Sequence, residues 1–338
     1  MIKSKLAIGV VGLGYIGAYH ARGLQESKNC RLVAGIDPLQ KKRAVFSSKH
    51  EDVSTFASLE AALQKTRLDA IVIATPNYLH KPLSIQAMDA GLHVLVDKPM
   101  AMSAAEGEEM IRCARKNKVK LSVGHMWRFD HQARYLENQI KAGTLGSIVR
   151  TNGWGVHKRW GPTGWFTQKS KAGGGALIDM GVHAIDTARF ILGDPEPASV
   201  YSRLSTNYGG YDVDDTGLTV INWKDGSVST VESGWWQPYI GGLEASTKIF
   251  GTKGYARLFP TSMITADGKK KRNPAFPQKK EHCDQSLYSA QADDFALSII
   301  NDREPVASAE AGLIVMKICD AAYVSSVENR LVCLGDDQ

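Results

Sequence analysis

Residues 173–186 read GGGALIDMGVHAID: three glycines, then Asp179 and His183 four positions apart, then Asp186 three further on. On a helix, side chains at i and i+4 share a face. The spacing therefore predicts a carboxylate and an imidazole presented together. An imidazole titrates near neutrality and can take or return a proton to a substrate. The glycines remove side chains where backbone comes close to something, and the expectation is a bound ligand. Asp179, His183 and Asp186 also have offsets compatible with a metal, but no further ligand cluster accompanies them and no metal is expected.

A second group of residues handles phosphates. VVGLGYIGA carries G-x-G-x-x-G at Gly12, Gly14 and Gly17, directly after the apolar run LAIGVVG and ahead of a helix-length segment. In that setting Gly12 makes a tight turn, Gly14 admits a pyrophosphate and Gly17 lets helix and strand pack closely. The helix start, at Tyr15 and Ile16, offers unpaired N–H groups to the phosphates. Asp37 ends the next apolar run, 20 positions past Gly17, where a carboxylate receives a ribose hydroxyl and disfavours a 2′-phosphate. NAD is thus expected over NADP, with Lys41, Lys42 and Arg43 as the countervailing basic cluster. The alternative is that Asp37 only caps a helix beginning at Pro38.

Lys98, in LVDKPM, follows a fourth internal strand-like run, and ligands of open α/β sheets bind outside such strand ends. Pro99 restricts the turn that carries it. An ammonium placed there would favour an alkoxide-like oxygen.

A third group is aromatic. All seven tryptophans lie between Trp127 and Trp236. GWGVHKRWGPTGWFTQKS, at 153–170, sets indoles beside His157, Lys158 and Arg159. Flat rings with polar neighbours suit sugar recognition or a subunit interface. His157 and Trp165 are the expected substrate contacts, with Arg128 of GHMWRF as a further candidate that would also suit bracing a domain junction. Trp235 and Trp236, adjacent on an expected strand, would point to opposite faces.

The elements that must hold these groups fall into two textures. Up to residue 123, near-continuous apolar runs at 6–12, 31–37, 69–75, 92–97 and 119–124 alternate with helix-length segments. That pattern predicts a parallel sheet covered on both faces. Beyond 124 the strand-like runs DDTGLTVINW and GSVSTVESGWW alternate with period two, and two helical segments close the chain. The expected division is a nucleotide-binding domain over 1–123 and a substrate-binding and oligomerisation domain over 124–338.

With 338 residues, 43% apolar and 22% charged, the composition is that of a folded globular protein. The net charge of +6 is matched by KKKRNPAFPQKK at 269–280, read as an exposed basic loop, so nucleic acid is not an expected partner. Five scattered cysteines without a C-x-x-C pair point to a reducing, cytoplasmic setting. No apolar run is long enough to span a membrane, and the N-terminal apolar stretch is read as the first strand, not a signal peptide.

Taken together, G-x-G-x-x-G, ATPNYLH (74–80), DKP (97–99), GHMWRF (124–129) and GGGALIDMGVHAID resemble the glucose–fructose oxidoreductase, inositol dehydrogenase and rhizopine catabolism (Gfo/Idh/MocA) family. The family's usual Glu-Lys-Pro stands here as Asp97-Lys98-Pro99. The resemblance implies an α/β protein: a Rossmann domain followed by an α/β domain with a large open, mostly antiparallel sheet. It implies an NAD(P)-dependent dehydrogenase or reductase acting on a secondary hydroxyl, or the matching ketone, of a sugar, inositol or related polyol. Lys98, Asp179 and His183 carry over as the catalytic set, with substrate binding at the same residues. Thr75, Pro76, Asn77, His80, Asp97 and Lys98 join the glycine loop beside the cofactor. A homo-oligomer, dimer or tetramer, is implied as well. Two other activities stay open at this stage: an NAD-assisted glycosidase of the same family, and a non-catalytic dinucleotide-binding protein.

Overall fold

A computed structural model describes residues 5–237, 244–268, 274–276 and 284–335. In chain order the strands are β1 (Leu6–Val11), β2 (Cys30–Ile36), β3 (Ser54–Phe56), β4 (Ala70–Ile73), β5 (His93–Val96), β6 (Leu121–Val123), β7 (Ile148–Val156), β8 (Pro197–Ser205), β9 (Thr216–Trp223), β10 (Val228–Gly234), β11 (Ala245–Gly251), β12 (Gly254–Leu258), β13 (Ser262–Thr265) and β14 (Val332–Cys333). The helices are α1 (Tyr15–Glu26), α2 (Gln40–Ser47), α3 (Leu59–Lys65), α4 (His80–Asp89), α5 (Ala104–Asn117), α6 (His131–Lys141), α7 (Lys169–Ala172), α8 (Val182–Ile191), α9 (Gln285–Ile300) and α10 (Ala309–Glu328).

The chain divides into two compact units. The first comprises Met1–Ala101, Ala105–Met126 and Cys283–Gly312. Its six strands run parallel in the order β3-β2-β1-β4-β5-β6. The order reverses between β1 and β4, so the carboxyl ends of those two strands form the crevice where such sheets take ligands. β4 is buried along its whole length, which is why its sequence reads as uninterrupted Ala-Ile-Val-Ile. Ile8, Val10, Leu24, Val72 and Leu95 share a core with Ala292 and Phe295 of α9. Helix α9 lies on α1, so close that a Cβ on Gly23 would fall 2.8 Å from the Tyr288 carbonyl oxygen. A division of the chain at 123/124 leaves this returning helix out of the first unit. Apolar spacing marks α9 as a helix but carries no signal of which sheet it covers.

The second unit comprises Met102–Ala104, Trp127–His282 and Leu313–Gln338. Its eight strands run in the order β13-β12-β11-β7-β10-β9-β8-β14, antiparallel except for the parallel pair β7 and β10. β9 alternates buried and more exposed positions along its length, as the period-two pattern requires. Every residue of α8 is buried; it packs against β7, β10 and β11 and on its other side against α6. Most of the expected basic loop at 269–280 lies outside the described residues. Within 274–276, Phe276 packs edge-on to Tyr135, ring centroids 5.6 Å apart. No helix of the described residues is long and apolar enough to cross a membrane.

Candidate functional site

In the first unit the site starts at the glycine loop. Gly12 has φ +91°, and a Cβ there would lie 2.3 Å from the Ala74 carbonyl oxygen. A Cβ on Gly17 would lie 1.9 Å from the Gly12 carbonyl oxygen. Both glycines are therefore demanded by the protein's own packing. Gly14 is different: its φ is −82°, and a Cβ would meet nothing nearer than Lys42 Nζ at 4.0 Å. The bare backbone at Gly14 is open, as close approach of a ligand requires. No side chain caps α1 and its first turn holds no acid, leaving N–H groups and the positive end of the helix dipole for an anion. Tyr15 is exposed and Ile16 half-buried beside it; the Tyr15 hydroxyl pairs with that of Tyr19 at 3.1 Å.

Asp37 is buried at the end of β2. Its Oδ2 accepts the Leu13 N–H at 3.0 Å and its Oδ1 the Leu39 N–H at 3.0 Å. One carboxylate thus ties the glycine loop to the corner before α2, which begins at Gln40. Lys42 Nζ stands 3.5 Å from Oδ2, while Arg43 donates to the Asp37 and Pro38 carbonyls at 2.7 and 2.9 Å. Two of the three basic residues of the cluster are thus turned onto this corner.

After β4, Thr75 keeps a buried hydroxyl with no hydrogen-bond partner among the described residues. The open Gly14, the uncapped α1 and this orphaned hydroxyl are features a dinucleotide completes. Pro76 caps the short turn Asn77–Leu79, and Asn77 is buried. His80 departs from the expected cofactor contact. Its ring is enclosed, with Nδ1 2.7 Å from the Pro99 carbonyl oxygen and Nε2 2.9 Å from that of Thr75. It therefore ties the β4 loop to the Lys98–Pro99 turn, where the peptide is cis. Asp97, beneath that turn, faces His20 Nε2 at 3.8 Å. Burial pushes the Asp97 carboxyl up, but the neighbouring His20, Lys98 and His80 outweigh it and hold it below the ordinary range. Lys98 itself is half-buried at the carboxyl end of β5.

In the second unit Asp179 and His183 do not share one uniform helix. Leu177–Gly181 forms a π-helical turn, with the Val182 N–H reaching back to the Leu177 carbonyl, and α8 follows. Such turns widen the helix by one residue and recur at functional sites. The turn lies against β7 at Gly155, where a Cβ would fall 2.3 Å from the Met180 carbonyl oxygen. Asp179 Oδ2 accepts the Trp235 indole N–H at 3.0 Å and lies 3.7 Å from His157 Nε2. His157 Nδ1 is in turn 3.2 Å from Glu244 Oε2, whose other oxygen accepts the Lys158 N–H at 2.9 Å. Glu244, missed in the sequence, thus orients the ring that faces Asp179; nothing in its local pattern marks it. His183 is buried and its ring lies 4.9 Å from that of Trp127.

The tryptophan region forms a continuous row of rings. Trp165 stacks on Phe166 at 3.8 Å, Phe166 meets Trp160 at 4.8 Å, and Trp160 meets Trp235 at 5.5 Å and His157 at 5.1 Å. The row therefore leads from Trp165 to the Asp179 carboxylate. Trp235 and Trp236 lie beyond the end of β10, so strand alternation does not govern them. Trp235 is fully buried, Trp236 packs against the same cluster, and the Trp236 N–H goes to Tyr211 Oη at 3.3 Å.

Two expectations change. The Arg128 guanidinium is engaged inside this unit: Nε donates to Asp186 Oδ1 at 2.8 Å, and Nη1 and Nη2 to Asp194 at 3.0 and 2.7 Å. Burial opposes the charge, yet the two carboxylates keep it above its ordinary value. Arg128 holds α8 in place and leaves the substrate set. The three glycines, too, are explained without a ligand. Gly173 takes φ +82° against Met102, a Cβ on Gly174 would fall 1.9 Å from Tyr323 Oη, and one on Gly175 1.8 Å from the Asp214 carbonyl oxygen. Among the described residues no group of three or more His, Cys, Asp or Glu side chains could hold a metal.

Residues 6–125 match the oxidoreductase family described by its NAD-binding Rossmann fold, and residues 133–257 match the GFO/IDH/MocA C-terminal domain. The chain belongs to the GFO/IDH/MocA oxidoreductase family. It is an NAD-dependent oxidoreductase with a Rossmann domain. It is 30% identical to a scyllo-inositol 2-dehydrogenase (NAD(+)) of Bacillus subtilis over 75% of this chain and 73% of that protein. It is 26% identical to a D-glucoside 3-dehydrogenase of Escherichia coli over 96% of this chain and 97% of that one. The crystal structure of an aldose–aldose oxidoreductase from Caulobacter crescentus, complexed with glycerol, superposes with a TM-score of 0.86. It shares 26% identity and covers 98% of this chain and 100% of its own. As a family member, the chain binds NAD in its Rossmann domain, whose glycine loop leaves the Gly14 backbone open and the α1 start uncapped.

Proposed function

We propose that this enzyme oxidises a secondary hydroxyl of a sugar, inositol or related polyol, or reduces the corresponding ketone, with His183 as general acid/base and Lys98 polarising the reacting oxygen. The observation that carries the reading is Asp179. It is a carboxylate that accepts the Trp235 indole N–H, faced by an imidazole and reached along a row of aromatic rings, four residues before His183. Carbohydrates present apolar C–H faces edged with hydroxyls, and rings bordered by fixed acceptors match that surface. NAD supplies the hydride acceptor. His183 takes the hydroxyl proton, Lys98 favours the alkoxide-like oxygen of the transition state, and Asp179 accepts a hydrogen bond from a substrate hydroxyl. His157 and Trp165 contact the substrate beside it.

The homologous inositol and glucoside dehydrogenases support this substrate class. A homo-oligomer is proposed on the family resemblance alone, and the free cysteines support a cytoplasmic setting.

The test is a panel of sugars, inositols and sugar acids with NAD and NADP, followed by absorbance of the reduced cofactor. Turnover with NAD, lost in Lys98→Ala while NAD still binds, is the expected result. His183→Ala should lose most activity, and wild-type rates in that variant over pH 6 to 9 would remove the histidine from the mechanism. Release of an aglycone from a glycoside without net NADH would favour the redox-neutral glycosidase. NAD binding without turnover on any substrate would favour a sensor.

A further inference from the structure

Asp214 stands just before β9, 39 positions from the glycine run. Its Oδ1 accepts the Gly175 N–H at 2.8 Å, its backbone carbonyl the Ala176 N–H at 2.8 Å and its Oδ2 the Leu177 N–H at 2.8 Å. Three consecutive amides at the start of the stretch that becomes the π turn and α8 therefore end on one residue. No side chain within the stretch caps either the π turn or α8, so this external residue does the work of a cap. The Tyr323 hydroxyl, from α10, donates to Asp214 Oδ1 at 2.6 Å and accepts from the Gly175 N–H at 3.2 Å. The Gly175 carbonyl then accepts the Asp179 N–H at 2.9 Å. Gly175 is thus fixed on both sides, by Asp214 behind and Asp179 ahead. Burial pushes the Asp214 carboxyl up, and Tyr323, Leu177 and Gly175 draw it back towards the ionised form. Burial and the Asp214 charge push the Tyr323 phenol well above its ordinary value, which keeps its proton available as a donor.

We propose that Asp214 and Tyr323 are positioning residues for the acid–base pair: together they set the phase at which the glycine run enters the π turn, and through it the directions of Asp179 and His183. The inference rests on the reading that Asp179 and His183 act on the substrate. It also has a structural consequence that survives failure of that reading, because Asp179 holds the Trp235 indole N–H. A displaced Asp179 must change that hydrogen bond.

The experiment uses Tyr323→Phe, which removes one oxygen and leaves the ring. Two quantities are read: kcat per NAD-binding site, and the ¹H–¹⁵N resonance of the Trp235 indole, assigned with Trp235→Phe. The expected result is a displaced resonance and a kcat lowered roughly ten- to a hundredfold, the cost of misplacing reacting groups by about an ångström, with NAD affinity unchanged. A role confined to stability would lower the melting temperature and leave both quantities alone. An indole resonance at its wild-type position, or a wild-type kcat per site, overturns the proposal. If the wild-type enzyme turns over none of the polyol panel, the assignment of substrate has failed and the resonance alone decides. If Tyr323→Phe does not fold, Asp214→Asn is read in the same way.

Discussion

Gly174→Ala separates two explanations of the glycine run. If glycine is there to admit substrate, an added methyl leaves stability alone and raises KM for the polyol. If it is there to admit Tyr323, the methyl unfolds the second unit first. The φ of Gly174 lies outside the left-handed region, so the penalty is steric. A Cβ would fall 1.9 Å from Tyr323 Oη, 2.6 Å from its Cζ and 2.7 Å from Ile178 Cγ1. Ordinary contact begins near 3.4 Å, so the hydroxyl must move by well over an ångström. That motion breaks both of its hydrogen bonds, to Asp214 and from Gly175. Overpacking costs about 1–3 kcal/mol and loss of a hydrogen bond to a charged group about 1.5–3, together roughly 3–6 kcal/mol. For a unit of this size, each kcal/mol lowers the midpoint by about 2–4 °C, so a fall of roughly 6–24 °C is expected. Thermal unfolding followed by tryptophan fluorescence reads the second unit, where all seven tryptophans lie. NAD affinity, a property of the first unit, should hold at temperatures where the variant is folded. Adding Tyr323→Ala removes both clashing tyrosine atoms, so Gly174→Ala should then cost much less than in the wild-type background. A Gly174→Ala protein melting within about 1 °C of wild type would refute the packing account.

Gly14→Ala should behave in the opposite sense. The methyl meets only Lys42 Nζ at 4.0 Å, so the melting temperature stays put, while the same 1–3 kcal/mol of crowding against the cofactor weakens NAD binding by about five- to 150-fold, measured by quenching or calorimetry. Arg128→Met takes the guanidinium from the buried Asp186 and should cost about 3–5 kcal/mol in urea unfolding; a loss under about 1 kcal/mol would mean that this ion pair does not hold α8 in place. Asp97 has a folded pKa below its unfolded one, so its ionised form contributes stability above about pH 4 that is lost as pH falls through the folded value. Urea midpoints of Asp97→Asn should therefore fall less steeply than wild type between pH 5 and 3, and parallel curves would exclude Asp97 as a source of acid sensitivity.

The parallel sheet was legible because burial on both faces forces an apolar run into the sequence. β3 and the helices α2 and α3 were not, being short and largely exposed. The glycines show the same limit from another side. Gly17 could be read because what approaches it, the Gly12 carbonyl, lies within the motif, and Gly12 because the motif's tight turn needs its positive φ, although the group that crowds it is Ala74. For Gly174 and Gly175 the approaching groups are Tyr323 and Asp214, far along the chain, and a glycine records that something comes close without recording what. Trp235 and Trp236 were misplaced for a related reason. A strand that ends at Gly234 instead of running through them removes the alternation that would have separated their rings.

Asp179 and His183 were singled out by spacing, yet the spacing alone does not aim them. A π turn changes the angle between residues four apart, and what imposes it comes from outside the helix: Asp214 at the start, the close approach of β7 at Gly155, and the Trp235 indole on Asp179 itself. Within the second unit the side chains proposed to act on substrate are thus legible locally, while their directions are set by contacts made over long separations in sequence. Glu244 behind His157 follows the same rule, one residue before a strand and 87 positions from the ring it orients. Substitutions that alter turnover without touching substrate should accordingly concentrate at Asp214, Tyr323 and Glu244 and not along α8, whose residues other than His183 are buried as packing.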